Sequence, residues 1–267
     1  MPSELWPFFK LNRQLLNDLP RIASRVILRF AKKMGVKPGI FTALHTFGRD
    51  LKWNTHVHLS VTRGGLTNDN QWKSVFFKAK SIMAMWRYGV IKLLRKQRYK
   101  GQLKHPSTIK LPALNSFISQ QYSKHWHIHC AKPQKDAEKD IAYLGRYIKR
   151  PPLANSRLVH YSGNDVLFKY HDHHTNRSKQ LRVSVFVFLN KFTQHIPEKH
   201  FKMIRYYGCD TKSQRSVVLH AKRGPLVTPS EPRDLNKEAV LTMKRSRKAG
   251  YKLRKECPPG NHNPGKC

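Results

Sequence analysis

Residues 39 to 65 read GIFTALHTFGRDLKWNTHVHLSVTRGG, and this stretch decides the fold. GIFTALHTF (39 to 47) has the β-branched and aromatic content of a strand, Gly48 to Asn54 carry turn chemistry, and 55 to 62 alternate apolar with polar. Two such runs joined by a short loop predict an antiparallel hairpin. Successive strand side chains point to opposite faces, so His56 and His58 share one face about 7 Å apart along the chain, with Val57 and Leu59 on the other. In a chain carrying 15 histidines, such a pair is more often a wetted sheet face than a cation clamp. His45 shifts the balance, because a hairpin closing over 48 to 54 brings it close to opposite His58. Three imidazoles leave coordination positions open for water or phosphate, as a catalytic metal requires. Beyond them, Arg63, Gly64 and Gly65 read as a turn where bare backbone can approach a ligand.

Around this hairpin the chain is intensely basic: 52 Lys and Arg face 15 Asp and Glu, a formal net charge of +37 over 267 residues. Self-repulsion on that scale is tolerated where a polyanion is the usual partner, and nucleic acid is the commonest. A membrane partner is excluded as a spanning protein, since the longest apolar run, Val183 to Leu189, is too short to cross a bilayer. The start, MPSELWPFFK, shows no signal peptide, and Cys130, Cys209, Cys257 and Cys267 are scattered as in a reducing cytoplasm.

Helical spacing of Leu15, Leu16, Leu19, Ile22, Val26 and Ile27 predicts a helix over 3 to 35, split at Pro20. A second helix is expected over 71 to 100, with Val75, Phe76, Ile82, Met83, Trp86, Val90 and Leu94 inward and Lys and Arg outward, ended by Gly101. A polar helix follows near 107 to 121, then a strand over 125 to 131, a helix over 136 to 150 stopped by Pro151 and Pro152, and strands over 157 to 183 turning at Ser162 to Asn164. A helix over 184 to 195 and a strand over 201 to 208 complete a domain of residues 1 to 223. Residues 224 to 267, containing KRSRKAGYKLRK and CPPGNHNPGKC, read as a basic, flexible tail.

KHWHIHC (124 to 130) repeats the His alternation, but no neighbouring segment offers a third ligand and Lys124 and Lys132 repel a cation, so His127 and His129 read as a solvated or phosphate-contacting face. HDHH (171 to 174) beside a turn reads likewise. YLGRYIKRPP (143 to 152) is different. At about 100° per residue, Ile141, Leu144, Gly145 and Ile148 form one helical stripe and Arg146 and Arg150 lie opposite. Tyr143 and Tyr147, four apart, fall between them. They can serve as core residues, or pack on one side and present hydroxyls to an anion on the other. Two tyrosyl hydroxyls beside arginines, with a His-bound cation elsewhere, suggest phosphoryl transfer with tyrosine as nucleophile.

HTFGRDLKWNTHVHLSVTRGGL (45 to 66), YLGRYIKRPPLANSRL (143 to 158) and HIPEKHFKMIRYYG (195 to 208) together resemble the core of the two-tyrosine HUH transposases of rolling-circle insertion sequences, over roughly residues 2 to 210. The resemblance implies an α+β fold: an HUH-endonuclease-like antiparallel sheet with helices packed on it and a tyrosine-bearing helix over the metal site. It implies a nickase and strand transferase of single-stranded or hairpin DNA ends in a prokaryotic cytoplasm, at the nucleoid, using Mg²⁺ or Mn²⁺ and no small-molecule substrate. His56 and His58 match the HUH pair and Tyr143 and Tyr147 the nucleophiles. His45 as third ligand comes from the hairpin geometry, and DNA contacts are expected from Arg63, Arg146, Lys149 and Arg150. Family members carry a cysteine-rich, zinc-binding module ahead of the segment that here begins at PSELW. No CxxC is present, so a truncated remnant is expected. A replication initiator or relaxase with the same chemistry, and a non-catalytic basic DNA binder, are the alternatives.

Overall fold

The computed structural model describes residues 1–129, 151–172 and 175–208. The helix expected over 3 to 35 is broken, but at Asn12 rather than Pro20. A 3-10 turn at Ser3–Leu5 leads into α1 (Trp6–Leu11), and a second at Arg13–Asn17 leads into α2 (Asp18–Lys33). Asn12 (φ −121°, ψ 66°) leaves helical geometry. Its fully buried amide donates to the carbonyls of Phe8 at 2.8 Å and Lys104 at 2.6 Å and accepts from the Lys104 N–H at 2.9 Å. Pro20 sits in the first turn of α2, where its missing N–H costs no intrahelical bond.

The hairpin forms as β1 (Gly39–Phe47) and β2 (Trp53–Val61), antiparallel, with the turn closed by Gly48 N–H to Lys52 O at 2.8 Å. Every residue of β1 is buried, because it is the central strand of its sheet. Beyond β2 the expected turn at Arg63 to Gly65 is instead the start of β3 (Gly64–Leu66), paired with β4 (Trp72–Ser74) and bridged at Leu66 to Lys37. A Cβ on Gly64 would lie 2.4 Å from the Lys73 carbonyl oxygen, and one on Gly65 2.4 Å from that of Lys37. The two glycines are therefore required by backbone-on-backbone packing and are buried, so they do not offer bare backbone to DNA.

α3 (Ala79–Tyr99) begins later than expected, because 72 to 74 are a strand and Val75 packs beside Ala31 and Val36, leaving Phe76 78% exposed. Gly101 (φ +67°) ends it as anticipated. α4 (Leu114–Gln120) is shorter than the expected 107 to 121. No strand forms over 124 to 129: Trp126 is buried and the histidines exposed, but the backbone joins no ladder. Next come β5 (Leu158–Tyr161), β6 (Asp165–Asp172) and β7 (Arg177–Ser184), a separate antiparallel sheet in that order. α5 (Val185–Thr193) starts at Ser184, whose Oγ accepts from the Val187 N–H at 3.4 Å.

β8 (Ile204–Gly208) pairs antiparallel with the free side of β1, giving the order β2–β1–β8. On one face of this sheet Leu44 and Val57 join the main core with Phe8, Leu19, Trp86, Val90 and Leu94, from α1, α2 and α3. Phe41, Ala43 and His45 lie on the other face. The chain is thus α+β, with antiparallel sheets and helices packed on them. The helix expected over 136 to 150, the boundary near 223 and the C-terminal tail lie outside the described residues.

Candidate metal centre

The hairpin register places His45 directly opposite His56, and His58 opposite Ala43. The expectation that His45 lies opposite His58 is corrected by two residues: the turn is shorter than Gly48 to Asn54, and β2 already begins at Trp53. Side-chain direction repeats every two residues, so a shift of two leaves all three histidines on one face. Their ring centroids are 5.5 Å (His45 to His56), 4.6 Å (His45 to His58) and 4.8 Å (His56 to His58) apart.

The register also slips between His45 and Phe47, so that Thr46 faces two residues of β2, Asn54 and Thr55. At this bulge the Asn54 carbonyl accepts a hydrogen bond from His56 Nδ1 at 2.8 Å. A carbonyl cannot donate, so Nδ1 carries the proton and Nε2 is the ring nitrogen whose lone pair can face a cation. His45, 4% exposed, stacks on Phe47 at 4.9 Å between centroids, which fixes its ring plane.

One nitrogen from each histidine lies within 4.8 Å of the others. Imidazole nitrogens about 2.1 Å from a shared ion in a tetrahedral set stand about 3.4 Å apart, so small side-chain rotations close the group on a cation. The residues therefore fit a divalent ion. Among the described residues no carboxylate or cysteine joins the group, and no second such group exists. His125 and His127, with a 3.2 Å ring contact, are exposed and gather no third ligand there. An all-imidazole set suits borderline transition metals better than Mg²⁺, which prefers oxygen.

Arg63 is exposed just past β2, on the chain segment that follows the two strand histidines. Tyr143, Tyr147, Arg146, Lys149 and Arg150 lie outside the described residues. Sequence reasoning missed His195, whose buried ring braces the hairpin from below. Nε2 donates to the Leu51 carbonyl at 3.1 Å, leaving Nδ1 to accept from the Thr46 hydroxyl at 3.1 Å. The ring stacks on Trp53, with centroids 5.7 Å apart. Arg13 holds the same corner by donating to the carbonyls of Gln194 at 2.9 Å and Ile196 at 2.5 Å.

Burial holds His195 below the ordinary imidazole pKa, and the charges of Lys10, Arg13 and Lys191 add to this against the opposing bond to Leu51. The folded state thus binds this proton less readily than the unfolded chain. The stability His195 confers is complete above the unfolded value of about 6.5 and is lost as pH falls below it. His195→Gln keeps one donor and one acceptor but cannot titrate. Thermal melts between pH 7.5 and 5.5, values chosen to bracket about 6.5, are expected to fall less steeply for His195→Gln than for wild type.

Comparison with known proteins adds an independent line. A family model described as "Putative transposase" matches residues 39–216, which takes in β1 through β8. The chain is 43% identical over 213 residues to the "Transposase for insertion sequence element IS801" of Pseudomonas savastanoi pv. phaseolicola, covering 78% of this chain and 52% of that protein. It is 28% identical over 194 residues to "Putative transposase y4qJ" of Sinorhizobium fredii (strain NBRC 101917 / NGR234), covering 69% of this chain and 49% of that one. The chain thus spans about half the length of the curated relatives it matches. No solved structure matches.

Proposed function

The chain belongs to this transposase family, and from that premise we propose that it cuts and rejoins single-stranded DNA through 5′-phosphotyrosine intermediates during rolling-circle-type transposition of an insertion sequence. The observation that carries the reading is the convergence of His45, His56 and His58 on one sheet face of a chain in this family.

In this reading the three histidines hold a divalent cation, Mn²⁺ in preference to Mg²⁺. When bound, the ion supplies charge neutralisation at the scissile phosphate. Tyr143 or Tyr147 attacks phosphorus through its phenolic oxygen and gives up its proton. The bond from phosphorus to the 3′ oxygen breaks, and that oxygen takes a proton to become a 3′-hydroxyl. Reversal by a different 3′-hydroxyl attacks the phosphotyrosine, restores the phenol and joins a new strand, so the stored ester needs no nucleotide cofactor. Two nucleophiles allow two such exchanges on one chain. Arg63, Arg146, Lys149 and Arg150 contact the phosphates around the cut, within a catalytic domain of residues 1 to 223 followed by a basic tail. Among the described residues no helix is long and apolar enough to cross a membrane.

The test is incubation with end-labelled single-stranded oligonucleotides carrying element ends, resolved by denaturing electrophoresis. A covalent protein–DNA adduct with Mn²⁺, lost on adding EDTA, is expected. Binding that is indifferent to EDTA, with no adduct at all, would place the chain among non-catalytic DNA binders.

A further inference from the structure

α3 buries Trp86, Val90, Ile91 and Leu94 in the main core, on the sheet face opposite the histidines. Its outer side carries Tyr88, Lys92, Arg95, Lys96 and Tyr99, all exposed. At about 100° per residue these five fall within about 100° of arc, a single stripe running about 16 Å along the axis from the first tyrosine to the last. The helix contains no Asp or Glu. Among the described residues none of the ion pairs involves it.

A basic face alone would be ordinary solvated surface. The tyrosines make it unusual: Tyr88 is 51% exposed and Tyr99 94%, so one keeps about half its surface and the other nearly all of it in water. The cations around them are partly organised. Lys92 Nζ sits 5.7 Å from the Tyr88 ring centre, and the Arg95 guanidinium lies 5.5 Å from that of Tyr122 while Nη2 donates to Ser119 Oγ at 3.0 Å. Aromatic faces interleaved with cations at regular spacing match the chemistry of an unpaired nucleic-acid strand, whose bases offer flat rings and whose backbone offers one charge per nucleotide. A duplex offers the charges but hides the ring faces.

We propose that this stripe is a second DNA-binding platform, on the far side of the sheet from the histidines, that holds single-stranded DNA by stacking bases on Tyr88 and Tyr99 while Lys92, Arg95 and Lys96 take its phosphates. That the strand is DNA rests on the transposase reading; the stacking surface does not depend on metal or on the tyrosine nucleophiles. A strand held here lies away from the cutting site, so the platform suits a length of DNA distant from the nick or a second strand.

The experiment uses the full chain in EDTA and a fluorescent oligothymidine, read by anisotropy. Tyr88→Ala with Tyr99→Ala is expected to weaken binding at least tenfold, and Tyr88→Phe with Tyr99→Phe to stay within about twofold of wild type, with unchanged melting temperatures in both. Lys92→Gln with Lys96→Gln is expected to reduce the slope of log affinity against log salt by about 1.4, the share of two phosphates. An alanine pair that binds as wild type, or a duplex of equal length that binds as tightly and loses as much, overturns the proposal. His56→Ala must leave this binding intact. A wild-type chain that forms no covalent adduct with Mn²⁺, while the stripe's contribution to binding is as expected, would sink the catalytic reading alone.

Discussion

Phenylalanine at both 143 and 147 is expected to abolish the covalent DNA adduct, a drop of at least about 10³-fold to the detection limit, while oligonucleotide binding stays within about twofold. The change removes only one oxygen from each side chain and keeps the aromatic ring, so in the proposed chemistry the loss is confined to the atom that would attack phosphorus. Each single variant should retain an adduct through the remaining tyrosine, and mass spectrometry of the digested adduct should place the nucleotide on that residue. If the double variant forms as much adduct as wild type, another nucleophile does the work and the proposed chemistry is wrong.

His56→Ala should have the next largest effect, slowing adduct formation about 10²- to 10³-fold. Loss of a ligand from a three-histidine group forfeits much of the several kcal/mol that a bound cation contributes to phosphoryl transfer. It also removes the ring whose protonation is set by the Asn54 carbonyl at the bulge. Titration of Mn²⁺ by calorimetry gives a readout independent of turnover: wild type should bind one ion and His56→Ala should bind it at least about tenfold more weakly. His127→Ala is the control, since that exposed ring gathers no partners for coordination among the described residues and should change neither quantity. Equal Mn²⁺ affinity in wild type and His56→Ala would remove the histidines from the metal's coordination.

The hairpin was legible because its signals are local: β-branched runs on either side of Gly48 and the period of two that puts His56 and His58 together. The alternation even survived an error of two residues in register, since parity and not register decides which face a side chain takes. What could not be read was the bulge, because an extra residue in a ladder is set by pairing rather than by composition. Gly64 and Gly65 misled for a related reason. Their need for a bare backbone was visible, but whether carbonyls of Lys73 and Lys37 or a ligand filled the space depends on chain segments distant in sequence. His195 opens one of the three blocks that carry the family resemblance, but its bracing role had no local signal, since its partners Thr46 and Leu51 are nearly 150 positions away. At 124 to 129 the alternation correctly predicted which side chains face water, but these residues join no ladder, since among the described residues no strand lies beside them.

The order of strands β2–β1–β8 sets a clock on the site's assembly. β1 and β2 are neighbours in the chain and can pair as soon as both leave the ribosome, but β1 gains its second neighbour only when Ile204 to Gly208 arrive. At about 5 to 20 residues per second, the stretch between His58 and Ile204 takes on the order of 7 to 30 s to synthesise. For that interval the strand bearing His45 has an open edge. A nascent chain therefore carries the three histidines on an unfinished sheet, and the scaffold that holds them is completed only once synthesis has passed residue 208.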